Sequence, residues 1–152
     1  MTAWSYAPPR SSSGFSMVEL LMVLAIVGVL ATAAVPSFVD YVRRGRIIEA
    51  VTRLSDHRVR MEQFFLDNRR YDDGAGGCGY AAPPIGAADA FAVECVAGAS
   101  AYTITVRGLA SKSMADFAYA LDQANAQKTV SLPNGWTGSD LCWVVRRDGS
   151  CV

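Results

Sequence analysis

The sequence predicts an α+β protein in which one long N-terminal α-helix packs against a four-stranded antiparallel β-sheet. An apolar run followed by an amphipathic pattern of helical period continues from residue 15 to residue 71, which predicts a long helix. Four short segments of alternating polarity follow residue 100, as is typical of strands. Because neither helix nor sheet can bury its apolar face alone, we expect them to pack together.

The first part of the predicted helix is hydrophobic enough to enter a membrane. Residues 11–39 contain one ionisable side chain, Glu19, and the stretch 20–39 is interrupted only by small or weakly polar residues and by Pro36. A helix of about 20 apolar residues covers the ~30 Å hydrocarbon core of a bilayer. We therefore expect residues 15–39 to form a transmembrane helix, bent near Pro36.

The second part, residues 40–71, is predicted to be an amphipathic continuation of the same helix. Its apolar stripe recurs at spacings of 4, 3, 7 and 4 residues, at Ile47, Val51, Leu54, Met61 and Phe65. No glycine or proline interrupts the pattern between Arg46 and Tyr71. Residues 15–71 are therefore predicted to form one rod of about 50 residues.

Charge is distributed unevenly along a chain whose net charge is zero. Residues 40–70 carry eight arginines against five acidic side chains, whereas residues 71–152 carry five basic and eight acidic groups. The first three arginines after the apolar run, Arg43, Arg44 and Arg46, could contact DNA. A solvated helix face, or the charged flank of a membrane helix, is the favoured interpretation of this run, since no exposed aromatic residues are interleaved for base stacking.

The rest of the chain is predicted to form a loop, a sheet and a cysteine-closed end. Asp72-Asp73-Gly74 ends the helix, and residues 72–100 are predicted to be an irregular loop, since glycine, alanine and proline dominate there. The sheet and the terminal cysteine loop are expected within residues 101–152. The predicted strands are residues 102–107, 117–122, 129–132 and 141–145. Trp136 and Trp143 are expected to pack against this sheet.

Four cysteines, at positions 78, 95, 142 and 151, indicate two disulfides and an oxidising compartment. With no Cys-x-x-Cys pair and a single histidine, a zinc site is not predicted. Three pairings are possible, and the sequence leaves them open. The local pairing, Cys78–Cys95 with Cys142–Cys151, is favoured, and each loop would contribute about 2.5–3 kcal/mol by chain entropy.

Neither catalytic residues nor a cofactor are predicted. The sequence contains no Gly-x-Ser-x-Gly motif, phosphate-binding loop or cluster of metal ligands, so an enzyme anchored in the periplasm is a poor alternative. His57, between Asp56 and Arg58, has no nucleophile nearby in sequence and is interpreted as a surface histidine.

The N-terminal motif carries the functional prediction. Residues 1–14 are interpreted as a leader that ends in a small residue, Gly14, placed before the apolar run and not after it. Cleavage after Gly14 would leave the helix on the mature chain and create an α-amine on Phe15 with a pKa of about 7.7–8. A carboxylate inside an apolar helix, as at Glu19, costs ~2.5–3.5 kcal/mol and needs a partner. The amine of a neighbouring copy could supply it.

Gly14-Phe15-Ser16-Met17-Val18-Glu19-Leu20, followed by about 20 apolar residues and Pro36, resembles the class III signal of the type IV pilins. The end of the chain, from Cys142-Trp143-Val144 to Cys151, is similar to the disulfide-closed end of PilE-type pilins. The resemblance implies the type IV pilin fold, cleavage by prepilin peptidase after Gly14 and N-methylation of Phe15.

The resemblance also implies where the protein acts and what it contacts. Glu19 would recruit other pilin subunits, Pro36 would occupy the family's kink, and the chain would serve as a minor pilin without enzymatic activity or cofactor. It would lie in the bacterial inner membrane with a periplasmic head (residues 40–152) before joining a surface pilus used for adhesion, motility or DNA uptake. A DNA-binding competence pilin and a type II secretion pseudopilin remain the alternatives.

Overall fold

A computed structural model describes residues 14–152, except for the side chains of residues 33 and 36, so most of the predicted leader lies outside the described residues. The chain divides into two compact units, residues 1–39 and residues 40–152. Helix α1 runs from Met17 to Asn68 over 52 residues. The long helical rod predicted from the sequence is therefore confirmed.

Local hydrogen bonds explain where α1 begins and ends. The Ser16 hydroxyl accepts a bond from the Val18 amide at 3.3 Å, which satisfies one of the free N–H groups at a helix start. After Asn68, Arg69 adopts a left-handed conformation with φ 58°. Its amide donates to the Phe65 carbonyl at 2.8 Å, a common way of ending a helix.

By length and composition, no single helix among residues 14–152 qualifies to cross a membrane on its own. The segments Met17–Thr32 and Ser37–Asn68 qualify together, as a pair bent at the short break between them, and Pro36 lies in that break.

Within residues 40–152, four strands form one antiparallel sheet in the order β1-β2-β3-β4. Their bounds are β1 Phe91–Ala97, β2 Tyr102–Gly108, β3 Ala118–Asp122 and β4 Gln127–Ser131, with a 3₁₀ turn at Ala110–Lys112 between β2 and β3. One face of α1 lies in the core with the sheet, since Ile47, Leu54 and Met61 are at most 1% exposed. The predicted α+β fold is confirmed.

Two details of the sheet differ from the prediction. The first strand, Phe91–Ala97, lies in the segment predicted to be irregular, because the alanines and glycines of that segment obscure its alternating pattern. The predicted strand at residues 141–145 is wrong. There the buried Thr129 hydroxyl donates to the Cys142 carbonyl at 2.6 Å and accepts from the Val144 amide at 3.0 Å, so a side chain takes the place of strand pairing.

The terminal segment is nevertheless part of the core. The indole of Trp143 is 3% exposed and donates to the Ala120 carbonyl at 2.9 Å, and the Tyr119 hydroxyl donates to the Val144 carbonyl at 2.9 Å. Trp136 packs edge-on against Phe117, with ring centroids 5.0 Å apart. Both tryptophans therefore pack as predicted, and they fix the terminal segment on the sheet.

Candidate functional site

The segment around Glu19 presents apolar side chains that nothing in the described chain covers. Phe15 is 81% exposed and Met17 is 83% exposed, and most large apolar side chains as far as Val39 are also exposed. Glu19 lies in the first turn of α1. Across residues 14–152, no cation lies within ion-pair distance of its carboxylate. This surface is suited to contact with lipid or with other helices.

The three arginines predicted as possible DNA contacts differ in their surroundings. Arg43 Nη1 lies 3.4 Å from Asp40 Oδ1, and the Arg46 guanidinium donates to the Lys112 carbonyl. Arg44 is half-buried, and no carboxylate of the described residues pairs with it. Two of the three arginines therefore bond to other groups of the head, Arg43 within its own helix and Arg46 to the turn that contains Lys112.

An ion-pair cluster fastens the loop after α1 to the helix. Arg53 bonds to Glu49 through Nε at 3.1 Å and also pairs with Asp89. The Glu49 carboxylate accepts the Ala90 amide at 3.2 Å, and Asp89 accepts the Gly86 amide at 2.6 Å. The bond from Gly86, followed by the charge of Arg53, lowers the pKa of Asp89 below its ordinary value. The cluster leaves no local pattern in the sequence, because Asp89 lies 36 positions after Arg53 and Ala90 lies 41 positions after Glu49.

His57 is buried, so the prediction that it is a surface histidine is wrong. It is 4% exposed, and its ring lies 5.5 Å from that of Tyr80, over which the Arg60 guanidinium sits at 4.9 Å. The loop from Tyr71 to Ala90 folds over this helix face, which a helical period places near the apolar stripe. Burial lowers the pKa of His57, against an opposing effect from Asp56.

A cavity of about 370 Å³ lies beside this histidine, between the helix and the loop. Its lining residues are Thr52, Arg53, Asp56, His57, Pro83, Pro84 and Asp89. Asp56 and Asp89 are paired with Arg60 and Arg53. In the part of the chain that the structure describes, no group of three or more metal-binding side chains is assembled. Thr52 and His57 both line the cavity, but the Thr52 hydroxyl donates to the Ile48 carbonyl at 2.9 Å, and among the described residues no hydrogen bond joins it to His57.

A second buried polar group was also missed from the sequence. The hydroxyls of Tyr71 and Tyr102 both donate to the Glu62 carboxylate, each at 3.1 Å. Burial, and then the Glu62 bond, raises the pKa of Tyr102 above its ordinary value. Because Tyr71 also donates its amide to the Ala99 carbonyl at 3.2 Å, this group joins the helix end to the β1–β2 turn.

All four cysteines are bonded in the structure, Cys78 to Cys95 and Cys142 to Cys151, each pair with Cα atoms 5.9 Å apart. The first bond joins the loop after α1 to β1. The second closes the terminal loop, in which Val144 and Cys151 form an isolated antiparallel bridge. The first bond therefore holds the loop after α1 against the sheet, whereas the second closes the terminal segment on itself.

Comparison with known proteins assigns these features to a family. A family model described as "Type IV minor pilin ComP, DNA uptake sequence receptor" matches residues 36–133, more than half of the chain. A second, "Prokaryotic N-terminal methylation motif", matches residues 9–35.

Pilins and fimbrial proteins are similar to part of this chain. The type IV major pilin protein PilE1 of Neisseria gonorrhoeae is 32% identical over 71 residues, which cover 47% of this chain and 43% of that protein. PilA of Myxococcus xanthus is 37% identical over 90 residues, 59% of this chain and 40% of that protein. A fimbrial protein of Pseudomonas aeruginosa is 33% identical over 60 residues, 40% and 39% of the two chains. The chain thus matches about two fifths of the length of these curated relatives.

The exposed apolar helix that carries Glu19, the four-stranded sheet packed on its continuation and the disulfide-closed end together define a type IV pilin. Within that class, the chain belongs to the family of the type IV minor pilin ComP, because the family model covers more than half of its length.

Proposed function

We propose that this chain is a non-enzymatic structural subunit of a type IV pilus, a minor pilin that joins or primes the filament. The observation that carries the proposal is the position of Glu19, a carboxylate in the first turn of a helix whose apolar side chains are exposed. Residues 15–39 anchor the subunit in the inner membrane and exchange lipid contacts for helix–helix contacts in the filament. Little net hydrophobic force acts between helices in lipid, so a charge pair sets the register.

The proposed maturation creates the charge that Glu19 needs. Prepilin peptidase cuts after Gly14, and the new amine of Phe15 is methylated. The amine of one copy neutralises Glu19 of a neighbouring copy, and Pro36 bends the helix to fit the filament. The match of the N-terminal methylation motif to residues 9–35 supports this sequence of events. The periplasmic location of the head is supported by its two disulfides.

Mass spectrometry and N-terminal sequencing of the membrane-bound protein test the maturation step. We expect a chain that begins at methylated Phe15. Gly14→Val should retain the leader, because a branched side chain replaces the small residue before the cut, and the matched control Gly14→Ala should be processed. Mature wild-type protein that begins at Met1, or beyond Val39, contradicts the proposal.

We further propose that this pilin binds duplex DNA during uptake. The match to a family described as a DNA uptake sequence receptor is the observation in favour of this role. The same match over residues 36–133 favours a pilus subunit over a type II secretion pseudopilin. Among the three arginines, Arg44 is the one whose guanidinium is available for a DNA phosphate. Arg43 pairs with Asp40, and Arg46 donates to the Lys112 carbonyl.

DNA binding is measured with the full chain in nanodiscs of neutral lipid, at several salt concentrations. Each phosphate contact should contribute a slope of about −0.9 to the logarithm of affinity against the logarithm of salt concentration. Arg44→Gln should reduce that slope by about one contact, whereas Arg69→Gln at the far end of the helix is the matched control. No binding at low salt would contradict the DNA role and leave the structural role standing.

A further inference from the structure

The terminal disulfide loop contacts the helix at the residue that follows the apolar segment. Arg147 Nη2 lies 3.3 Å from Asp40 Oδ1, although 107 positions separate the two residues in sequence. Arg43 approaches the same oxygen at 3.4 Å. Two guanidinium groups from distant parts of the chain therefore share one carboxylate, and the pair of contacts leaves a net positive charge.

The loop holds its arginines at the surface in a rigid turn. The Gly149 amide donates to the Arg146 carbonyl at 3.1 Å, and Gly149 has a φ of 88°, which glycine adopts without strain. The Val145 amide donates to the Ser150 carbonyl at 2.9 Å, and the Cys142–Cys151 bond closes the loop. Arg147 remains 61% exposed.

Positive charge exceeds negative charge at this place. Arg43, Arg44, Arg146 and Arg147, which we name the Asp40 arginine cluster, belong to residues 40–46 and 142–151, the two segments that the contact of Asp40 with Arg147 joins. The acidic residues of these two segments are Asp40 and Asp148. The Asp148 carboxylate accepts the Ser150 amide at 2.9 Å. In the described chain, neither Arg44 nor Arg146 has an ion-pair partner. The cluster therefore has cationic groups available for an external anion.

The depth of the cluster follows from its contacts. If residues 15–39 span the bilayer, as proposed above, Asp40 is the first residue beyond the hydrocarbon. The headgroup layer is about 5–7 Å deep on each side, and a helix rises ~1.5 Å per residue. Arg43 and Arg44 then lie within that layer, and Arg147 lies at the same depth because it touches Asp40.

We propose that the Asp40 arginine cluster binds the phosphate groups of anionic phospholipids while the subunit is held in the membrane. Guanidinium groups bind phosphate in bidentate fashion, which suits a headgroup layer. Lysine and arginine usually favour the cytoplasmic flank of a membrane helix, whereas this cluster lies on the side of the disulfide-bearing head. A local binding role accounts for the exception. Transfer to the filament must break these contacts.

The experiment measures which lipids the full chain retains. The protein is reconstituted in vesicles of phosphatidylcholine with about three parts in ten of phosphatidylglycerol, extracted in neutral detergent and analysed for bound lipid by mass spectrometry. We expect retained phosphatidylglycerol to be enriched about fivefold or more over the bulk ratio. Arg146→Gln with Arg147→Gln should remove most of this enrichment.

The matched control is Arg107→Gln with Lys128→Gln, which removes two exposed, ion-paired cations from the sheet. It should leave the enrichment unchanged, and both doubles should keep wild-type circular dichroism and intact disulfides. Equal loss in the two doubles, or retention at the bulk ratio by the wild type, overturns the proposal.

Three further arms separate the alternatives. Inorganic phosphate at matched ionic strength should not displace the lipid, and displacement would mean a free-phosphate site and overturn the proposal. If the Arg146/Arg147 variant loses duplex DNA binding in neutral nanodiscs but keeps phosphatidylglycerol, the cluster binds DNA and the proposal is wrong.

Resistance to alkaline extraction shows that the chain is membrane-anchored. If alkaline extraction releases the chain, both this proposal and the proposed anchoring fail. If the chain stays anchored but retains no excess of phosphatidylglycerol, only this proposal is overturned.

Discussion

Glu19 combines two properties that are rarely found together, a charge and apolar neighbours on every side in sequence. It lies in the first turn of α1, where the positive end of the helix dipole stabilises a carboxylate. That effect is about 0.3–1 kcal/mol at an exposed site. It is smaller than the ~2.5–3.5 kcal/mol cost of a charge within the bilayer, so an additional cation is needed. The amine of a second processed copy is the cation that the proposed maturation provides.

We predict that Glu19→Ala leaves the chain processed and inserted in the membrane but reduces its share in filaments by about tenfold or more, since loss of one buried ion-pair partner costs several kcal/mol. The measurement compares the protein in sheared filaments with that in membranes by immunoblot. Glu19→Asp is the control, because it keeps the charge and should retain part of the incorporation. Wild-type amounts of the alanine variant in filaments would count against the recruitment role.

His57 predicts a dependence of stability on pH. Burial lowers its pKa in the folded state, and the charges of Arg60 and Arg53 act in the same direction, whereas Asp56 opposes them. The unfolded chain therefore binds more protons than the folded chain below the ordinary histidine pKa of about 6.5. Stability should consequently be unaffected by His57 above that pH and should fall as the pH drops through the window below it.

The check for His57 is the urea midpoint of unfolding measured from about pH 7.5 down to about pH 5, above the range in which carboxylates titrate. His57 is the one histidine in the chain, so His57→Gln should flatten the pH dependence in this window. An identical slope in the wild type and the variant would show that the buried ring does not control it. The lowered pKa of Asp89 contributes only at more acidic pH.

At the scale of single elements, the end of β2 depends on a glycine. Gly108 donates its amide to the Phe117 carbonyl at 2.8 Å, at the point where the chain passes from β2 towards β3. A Cβ at this position would lie 1.8 Å from the Met114 carbonyl oxygen. Because that oxygen belongs to the backbone, a rotamer change cannot relieve the overlap.

We predict that Gly108→Ala lowers the free energy of unfolding by about 2–4 kcal/mol, through forced displacement of the β2–β3 connection. Gly98→Ala is the matched control, since a Cβ there would meet no atom within 4 Å. The control should change stability by less than about 1 kcal/mol. Denaturant unfolding of both variants provides the comparison, and equal stability of the two would contradict the assigned overlap.

At the scale of the whole molecule, local sequence patterns predict the architecture but not the contacts between distant segments. The long helix and three of the strands were predictable, because period and alternation are local properties. The first strand, Phe91–Ala97, was missed because it lies in an alanine- and glycine-rich segment. The Thr129 hydroxyl that replaces strand pairing at Val144 left no periodic signal.

The candidate site divides in the same way. Gly14, Phe15 and Glu19 form a motif in consecutive sequence and could be predicted together. The contact of Arg147 with Asp40 depends on folding of the entire head, because 107 positions separate the two residues. The burial of His57 likewise depends on a loop that returns to cover the helix. Contacts of this kind follow from the tertiary structure, which local patterns do not encode.

The division of the chain at residue 39 predicts that the head folds without the apolar segment. The buried hydrophobic cluster begins at Ile47 and ends at Val145, and both disulfides lie within residues 40–152. None of the described side chains of residues 15–39 belongs to that cluster. The head therefore carries its own core and its own covalent links.

We predict that the fragment comprising residues 40–152, exported to an oxidising compartment, is a soluble monomer with two disulfides that unfolds cooperatively with a free energy of about 5–15 kcal/mol. Urea unfolding followed by tryptophan fluorescence checks the stability, because Trp143 is buried in the native head. Reduction of the disulfides should lower the free energy of unfolding, since each closed loop contributes about 2.5–3 kcal/mol.

The same fragment should be absent from filaments even when the full chain is coexpressed, because it lacks Glu19 and the apolar helix. A fragment that unfolds without cooperativity would mean that the head requires the apolar segment, and a fragment found in filaments would mean that assembly does not.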